Sequence, residues 1–319
     1  MRIASHGTGL LLLALALAAC GNEGRDETAG AESGSAAQAE TGPFRLGFLP
    51  SERGTEFSAR ADTLAAYLRE RMGTEVEVLI PTAYEPLIES LRFGNLDAAF
   101  LDAAPAWIAH RRAGTEVVLA EIRANGETHY WATGWTRADS DIDALEDLVG
   151  KRTAHTSWTG SSGFVLPIGT MVQQGLIRPE GDEFPQLQAA LQRTFASYAM
   201  TGGYKAAMEM LARGQVDAAF GADDAAERFL EPADRARVKP FVRIGRVPSH
   251  VLVVRPGLSD ARRQAFVEAM LQLTRERPEV YRALYGVDGV VPATDEHLAD
   301  FGRAVDALPA LHAQITAPR

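Results

Sequence analysis

Beyond residue 43, short apolar runs alternate with amphipathic ones. "FRLGFLP" (44–50) reads as a buried strand, and "ARADTLAAYLRERMG" (59–73) as a helix closed by Gly73. "EVEVLIP", "YEPLIESLRFG", "LDAAFL", "AWIAHRRAG" and "TEVVLAEI" continue the order strand, helix, strand, helix, strand. That order predicts an α/β domain with a mostly parallel sheet. The pattern restarts after "KRTAHTS" (151–157), with a helix from Ser161, a strand "FASYAM" (195–200), a helix from Tyr204 and a strand "VDAAFG" (216–221).

The restart is a repeat. Residues 84–100 and 204–220 align at constant offset with eight identities in seventeen positions, ending in D-A-A-F both times. The phrase itself has a structural explanation, since small residues followed by Phe make a closely packed buried strand. Its recurrence predicts two similar lobes, each a mostly parallel sheet flanked by helices, rather than one large sheet. Two extended apolar stretches, 129–140 and 246–257, are the expected crossings of a two-stranded hinge. Lobe 1 is then 44–130 plus 256–319 and lobe 2 is 137–247, with the terminal helices returning to lobe 1.

The N-terminus changes the picture. Arg2 precedes the apolar run "LLLLALALAA", which has the length of an export-signal core and is shorter than the ~20 residues of a membrane span. The run closes on "LAAC", where Cys20 is the only cysteine of the chain. Residues 1–19 are thus expected to be a signal peptide. Residues 20–43, rich in Gly, Ala, Ser and Glu, are the expected flexible tether. A lone cysteine excludes intrachain disulfides and Cys-based metal or redox sites. The formal net charge is −10, and about −11 without residues 1–19. Such an acidic surface argues against nucleic acid and against a basic membrane-docking patch, while leaving room for a small anion held by local donors.

Ligands of open α/β sheets sit beyond the carboxyl ends of strands, where helix N-termini present unpaired N–H groups. "TSWTGSSGFVLP" puts Ser161 and Ser162 beside Gly163 at such a start, supplying hydroxyls to an oxyanion; ordinary N-capping by Ser explains the same residues. Tyr84 and Tyr204 occupy equivalent strand-to-helix junctions. Each can aim a neutral O–H into a cleft between the lobes, or serve as a half-buried staple for its helix.

The succession "LGFLPSE", "AYEPLIESLRFGNLDAAFLD", "HYWATGW", "DALEDLVGKRTA", "GSSGFVLP", "GGYKAAMEMLARGQVDAAF" resembles the phosphate, phosphite and phosphonate-binding proteins of ABC importers. These are the PhnD-like branch of the type 2 periplasmic binding fold. The resemblance implies a Venus-flytrap protein that closes on a small oxyanion and delivers it to a permease. "LAAC" resembles a lipobox, which implies a lipid on Cys20 and a monomer anchored on the periplasmic side of the cell envelope. Tyr84 matches a ligand-facing tyrosine of the family. The family's S-T-S-G helix start is "GSSG" here, so Ser161 and Ser162 keep hydroxyls and Gly160 lacks one. Tyr204 stands where phosphonate binders often carry a His. Asp224 falls near the acidic position that holds the amino group of aminoalkylphosphonates, and His250 where a second acid completes that cage. Trp131 lies in the matching "HYWATGW" segment. His250 and the nearby Lys205 weaken the aminoalkylphosphonate reading and leave phosphate, phosphite, alkylphosphonate or another small oxyanion open.

An enzyme is not indicated: "TGSSG" is not a G-x-S-x-G elbow, no H-E-x-x-H or P-loop occurs, and the seven His show no metal-ligand spacing. No catalytic residue, metal or cofactor is expected. The alternative partner is a sensor kinase, since the same closure can signal as well as transport.

Overall fold

The computed structural model describes residues 42–48, 55–81 and 83–316. The expected signal peptide and tether, with Cys20, lie outside them, apart from residues 42 and 43. Among the described residues eleven strands follow in chain order: β1 (Phe44–Gly47), β2 (Val76–Leu79), β3 (Ala98–Leu101), β4 (Glu116–Ile122), β5 (His129–Arg137), β6 (Arg152–His155), β7 (Ser197–Met200), β8 (Ala218–Ala222), β9 (Val238–Pro248), β10 (Val251–Val254) and β11 (Gly289–Pro292).

They form two sheets, β2-β1-β3-β10-β4-β11 and β7-β6-β8-β5-β9. The repeat seen in sequence is therefore a repeat of topology. In each lobe three parallel strands from one stretch of chain are followed by an antiparallel strand inserted from the other side of a lobe junction, β10 in the first and β5 in the second. Strict parallel pairing is confined to those three strands; the outer pairs β10–β4, β4–β11 and β5–β9 are antiparallel.

The two D-A-A-F phrases become β3 and β8, whose residues are all buried. Both aspartates set register. Asp97 accepts the Arg45 N–H at 2.9 Å and Asp217 the Arg152 N–H at 2.8 Å, each carboxylate fixing the start of the adjacent parallel strand. Both are also held by arginine side chains, Arg255 Nε at 3.0 Å on Asp97 and Arg152 Nη2 at 2.6 Å on Asp217.

The chain leaves the first sheet at Ile122, enters the second at His129, and returns between Pro248 and Val251. The junctions are thus residues 123–128 and 249–250, shorter than the expected crossings 129–140 and 246–257, most of which are β5, β9 and β10. They are tied together by Ser249 N–H to Thr128 O at 2.9 Å and Glu121 N–H to His250 O at 3.0 Å. The helix Asp260–Glu276 packs on the first sheet at β11. The helix Glu296–Asp306 instead touches both lobes, packing on the helices Ala103–Ala113 and Leu166–Gln173. Small residues permit this: a Cβ on Gly302 would run into Trp107, and one on Gly169 would lie 2.7 Å from Ala304 Cβ. Among the described residues no helix is long and apolar enough to cross a membrane.

Candidate ligand-binding cleft

A cavity of about 520 Å³ lies between the sheets. Asp102, Glu121 and Tyr285 line it from the first lobe, Tyr130, Ser161, Tyr204 and Asp224 from the second, and Arg123 and His250 from the two junctions. A neighbouring cavity of about 480 Å³ shares Asp102, Tyr130, Ser161 and Tyr204, so the two are parts of one cleft.

Ser161 and Ser162 stand on a wide turn, Ser161–Val165, that leads into the helix Leu166–Gln173. Phe164 and Val165 N–H both donate to Gly160 O at 2.9 Å. Neither serine caps the helix through its side chain, so capping is not what holds them there. The N–H groups of the first turn have no helical carbonyl behind them and suit an anion. The glycines of "GSSG" are required by Thr156: a Cβ at Gly163 would lie 2.5 Å from Thr156 Cγ2, and one at Gly160 would meet Thr156 Oγ1. The threonine occupies the space that a side chain at position 160 would need. Beneath the turn, the fully buried His155 lies 3.2 Å from Gly163 O through Nδ1 and 3.0 Å from Thr153 Oγ1 through Nε2. A carbonyl only accepts, so Nδ1 carries the proton and Nε2 accepts from the threonine. Burial pushes its pKa down to about 4, keeping the ring neutral.

The hydroxyls divide into those that face the cavity and those that position others. Ser161 and Tyr204 line both cavities. Ser162 is fully buried and lies 2.8 Å from the Tyr204 hydroxyl, fixing that phenol, whose ring stacks on Phe229. Tyr130 lines the cleft as well. Burial, then the neighbouring Tyr204 phenol, raise its pKa well above the ordinary tyrosine value, so it is a neutral donor. Tyr84, the mate of Tyr204 in the repeat, is fully buried, and its O–H donates to Asp102. It reaches the cleft through that carboxylate.

His250 joins two carboxylates: Nε2 is 3.0 Å from Asp102 Oδ1 and Nδ1 is 2.9 Å from Glu121 Oε2. Burial opposes the imidazolium, but Glu121 and Asp102 outweigh it and raise the pKa well above the histidine norm. His250 is thus a cation in the cleft wall rather than an acceptor. Arg123 adds a second positive charge, its guanidinium 4.7 Å from the Tyr130 ring centroid and its Nε without a hydrogen-bond partner. Asp224 lines the cavity, with Oδ2 3.5 Å from Arg228 and Oδ1 without a hydrogen-bond partner.

Of the residues singled out in the sequence, the cleft brings together Ser161, Ser162, Tyr204, Asp224 and His250, with Tyr84 behind Asp102. Trp131 lines a third cavity of about 310 Å³, under Arg243, which shares Tyr130 with the cleft; Trp131 itself is not in the cleft lining. Lys205 is exposed and points at Glu209, outside the cavity lining. Asp102, Glu121, Arg123 and Tyr130 were missed. The repeat held the signal for Asp102: each D-A-A-F strand leads to a helix with an N-terminal aspartate in the cleft, Asp102 and Asp224.

Among the described residues no cluster of His, Cys, Asp or Glu could hold a metal ion. The model of a family described as "ABC transporter, phosphonate, periplasmic substrate-binding protein" matches residues 46–298. The chain is 26% identical to the phosphate-import protein PhnD of Mycolicibacterium smegmatis over 246 residues, covering 75% of this chain and 72% of that protein. Among solved structures, XAC2383 from Xanthomonas citri bound to ATP aligns with a TM-score of 0.66 at 20% identity, over 83% of this chain and 97% of that one. PhnD1 from Prochlorococcus marinus in complex with methylphosphonate aligns with a TM-score of 0.56 at 14% identity, over 83% and 98%. These two likenesses concern the fold.

Proposed function

The chain belongs to the family of periplasmic substrate-binding proteins of phosphonate ABC transporters, and on that premise we propose that it captures a small phosphorus oxyanion (phosphate, phosphite or a phosphonate) between its lobes and hands it to an ABC permease. The carrying observation is the convergence on one cavity of Ser161, Tyr204 and Tyr130 hydroxyls, the start of the turn Ser161–Val165, and the Arg123 guanidinium. Neutral donors and the Arg123 guanidinium suit a compact anion. Such hydrogen bonds to a charged group contribute about 1.5–3 kcal/mol each. Ser162 and Tyr84 act one step back, through Tyr204 and Asp102. The same reading includes a lipid on Cys20 that keeps the receptor, as a monomer, at the periplasmic face of a membrane.

A thermal-shift screen of phosphate, phosphite, methylphosphonate, 2-aminoethylphosphonate, arsenate, sulfate and ATP tests this. ATP is included because the XAC2383 structure holds it. A ligand at a hundredfold excess over Kd stabilises the fold by about 2.7 kcal/mol, which for a domain of this size raises Tm by roughly 5–10 °C. At least one phosphorus oxyanion should do so. If none does while sulfate or an unrelated solute does, the ligand class is wrong.

A further inference from the structure

Glu121 is not explained by oxyanion binding as described so far. It lies on β4 beside the first junction, is 1% exposed, and lines the cavity. Its Oε2 faces His250, and its N–H donates to the His250 carbonyl, which together tie the two junctions. Those contacts leave two buried atoms without a hydrogen-bond partner, Glu121 Oε1 and, despite its 2.9 Å approach to Oε2, His250 Nδ1. A buried carboxylate oxygen without a donor is costly, and at the wall of a ligand cavity the ligand is the group that can supply one.

We infer that Glu121 determines specificity by accepting a hydrogen bond from a P–OH group of the bound oxyanion, so that the cleft takes phosphorus oxyanions that carry a proton and turns away sulfate. This rests on the transport reading above. An ammonium group is the less fitting donor. His250 already stands as a cation against the other oxygen of the same carboxylate, and a second cation would face it at short range, whereas a hydroxyl brings no charge. The asymmetry in rejection is the usual one: a site built to pair with a hydroxyl discriminates strongly against an analogue that lacks it, because its own polar group is left unpaired.

The ligands themselves provide the test. Methylphosphonate carries a P–OH as its monoanion and none as its dianion. Hydrogen phosphate keeps one across the same pH range, and sulfate has none. Methylphosphonate affinity should therefore fall about tenfold per pH unit above its second ionisation, while phosphate affinity stays within about threefold of a common trend. The charged and titratable groups that face Glu121 are His250 and Asp102, Arg123 on the junction, Tyr281 and Tyr285 from the helix Pro278–Tyr285, and the Asp224–Arg228 pair across the cavity. They face both ligands alike and cancel in the comparison.

Isothermal titration of wild-type protein and Glu121→Gln with phosphate, methylphosphonate and sulfate across this range reads the effect. In wild type, sulfate should bind at least about a hundredfold more weakly than phosphate. In Glu121→Gln, phosphate should weaken about ten- to a hundredfold, the sulfate discrimination should shrink by at least about tenfold, and the pH gap between phosphate and methylphosphonate should close. Parallel pH profiles for the two ligands in wild type, or sulfate binding as well as phosphate, overturn the inference and leave the transport reading intact. Absence of binding by every phosphorus oxyanion overturns both. The wild-type arm decides alone if the variant does not fold.

Discussion

Acid should loosen the turn that carries Ser161 and Ser162, and His155 sets the scale. Its pKa is about 4 in the fold against 6.5 for an ordinary histidine. The folded value lies below the unfolded one, so the unfolded chain takes up the proton first as pH falls. The contribution to stability is complete above about pH 6.5 and is lost progressively toward pH 4. At about 1.4 kcal/mol per pH unit, a shift from 6.5 to about 4 is worth about 3 kcal/mol. His297 is also depressed to about 4, so the wild-type slope alone does not isolate His155. The differential measurement does. Chemical denaturation of wild type and His155→Gln at pH 7, 6, 5 and 4.5 gives two stability profiles. His155→Gln should be the less stable protein at pH 7, having lost the ring stacked on Phe220 and its fit under Gly163. The gap should narrow by about 2–3 kcal/mol across the range. A gap that stays constant with pH refutes the argument: His155 would then be ionised in the fold or exposed in it. Ligand affinity of wild type should fall over the same interval, since Gly163 O is the point at which the ring supports the turn.

Ser162→Ala and Tyr204→Phe should each weaken oxyanion binding about tenfold, and the double variant should lose less than the product, because the 2.8 Å pair is one unit; additive losses by titration calorimetry would show that the two act separately. Gly163→Ala should destabilise the protein by about 1–3 kcal/mol through the clash with Thr156 Cγ2, and Thr156→Ala should recover part of that; denaturation midpoints without rescue would place the strain elsewhere. Cys20→Ser should move the protein from the membrane fraction to the soluble one, or leave it unprocessed. Unchanged partition, with no lipid mass on the wild-type N-terminus, would remove the anchor from the reading.

The lobes were legible in the sequence because burial of both sheet faces leaves continuous apolar runs, and because the D-A-A-F repeat marks the central strand of each sheet. The short antiparallel strand Gly289–Pro292 and the helix Pro278–Tyr285 were not anticipated: four residues of "GVVP" carry no distinguishing period. At the site, serines beside a glycine at a helix start and a tyrosine at each lobe's helix start could be read from residue type and position. Trp131 and Tyr130 are neighbours in one strand, where a step of one residue reverses the face, and only Tyr130 is in the cleft lining. Glu121 and Arg123 were out of reach, since a charged residue at the end of an apolar strand reads as a solvated end until the second junction is seen to bring His250 against it.

The two tyrosines show how one repeat gives two unlike walls. Tyr84 and Tyr204 each begin a nine-residue helix at the same place in their lobes. Tyr204 meets a serine on a turn rich in N–H groups, so its hydroxyl stays among donors. Tyr84 meets Asp102, which His250 and then Glu121 extend into a charged chain along the junction. The Tyr204 side thus holds a hydroxyl pair with the Asp224 carboxylate beside it, and the Tyr84 side two carboxylates joined by the His250 cation. On the proposal above, the ligand's acceptor-side contact is Glu121, where the two junctions are tied. On the same proposal, a ligand at Glu121 lies beside the two junctions by which, among the described residues, the chain passes between the sheets.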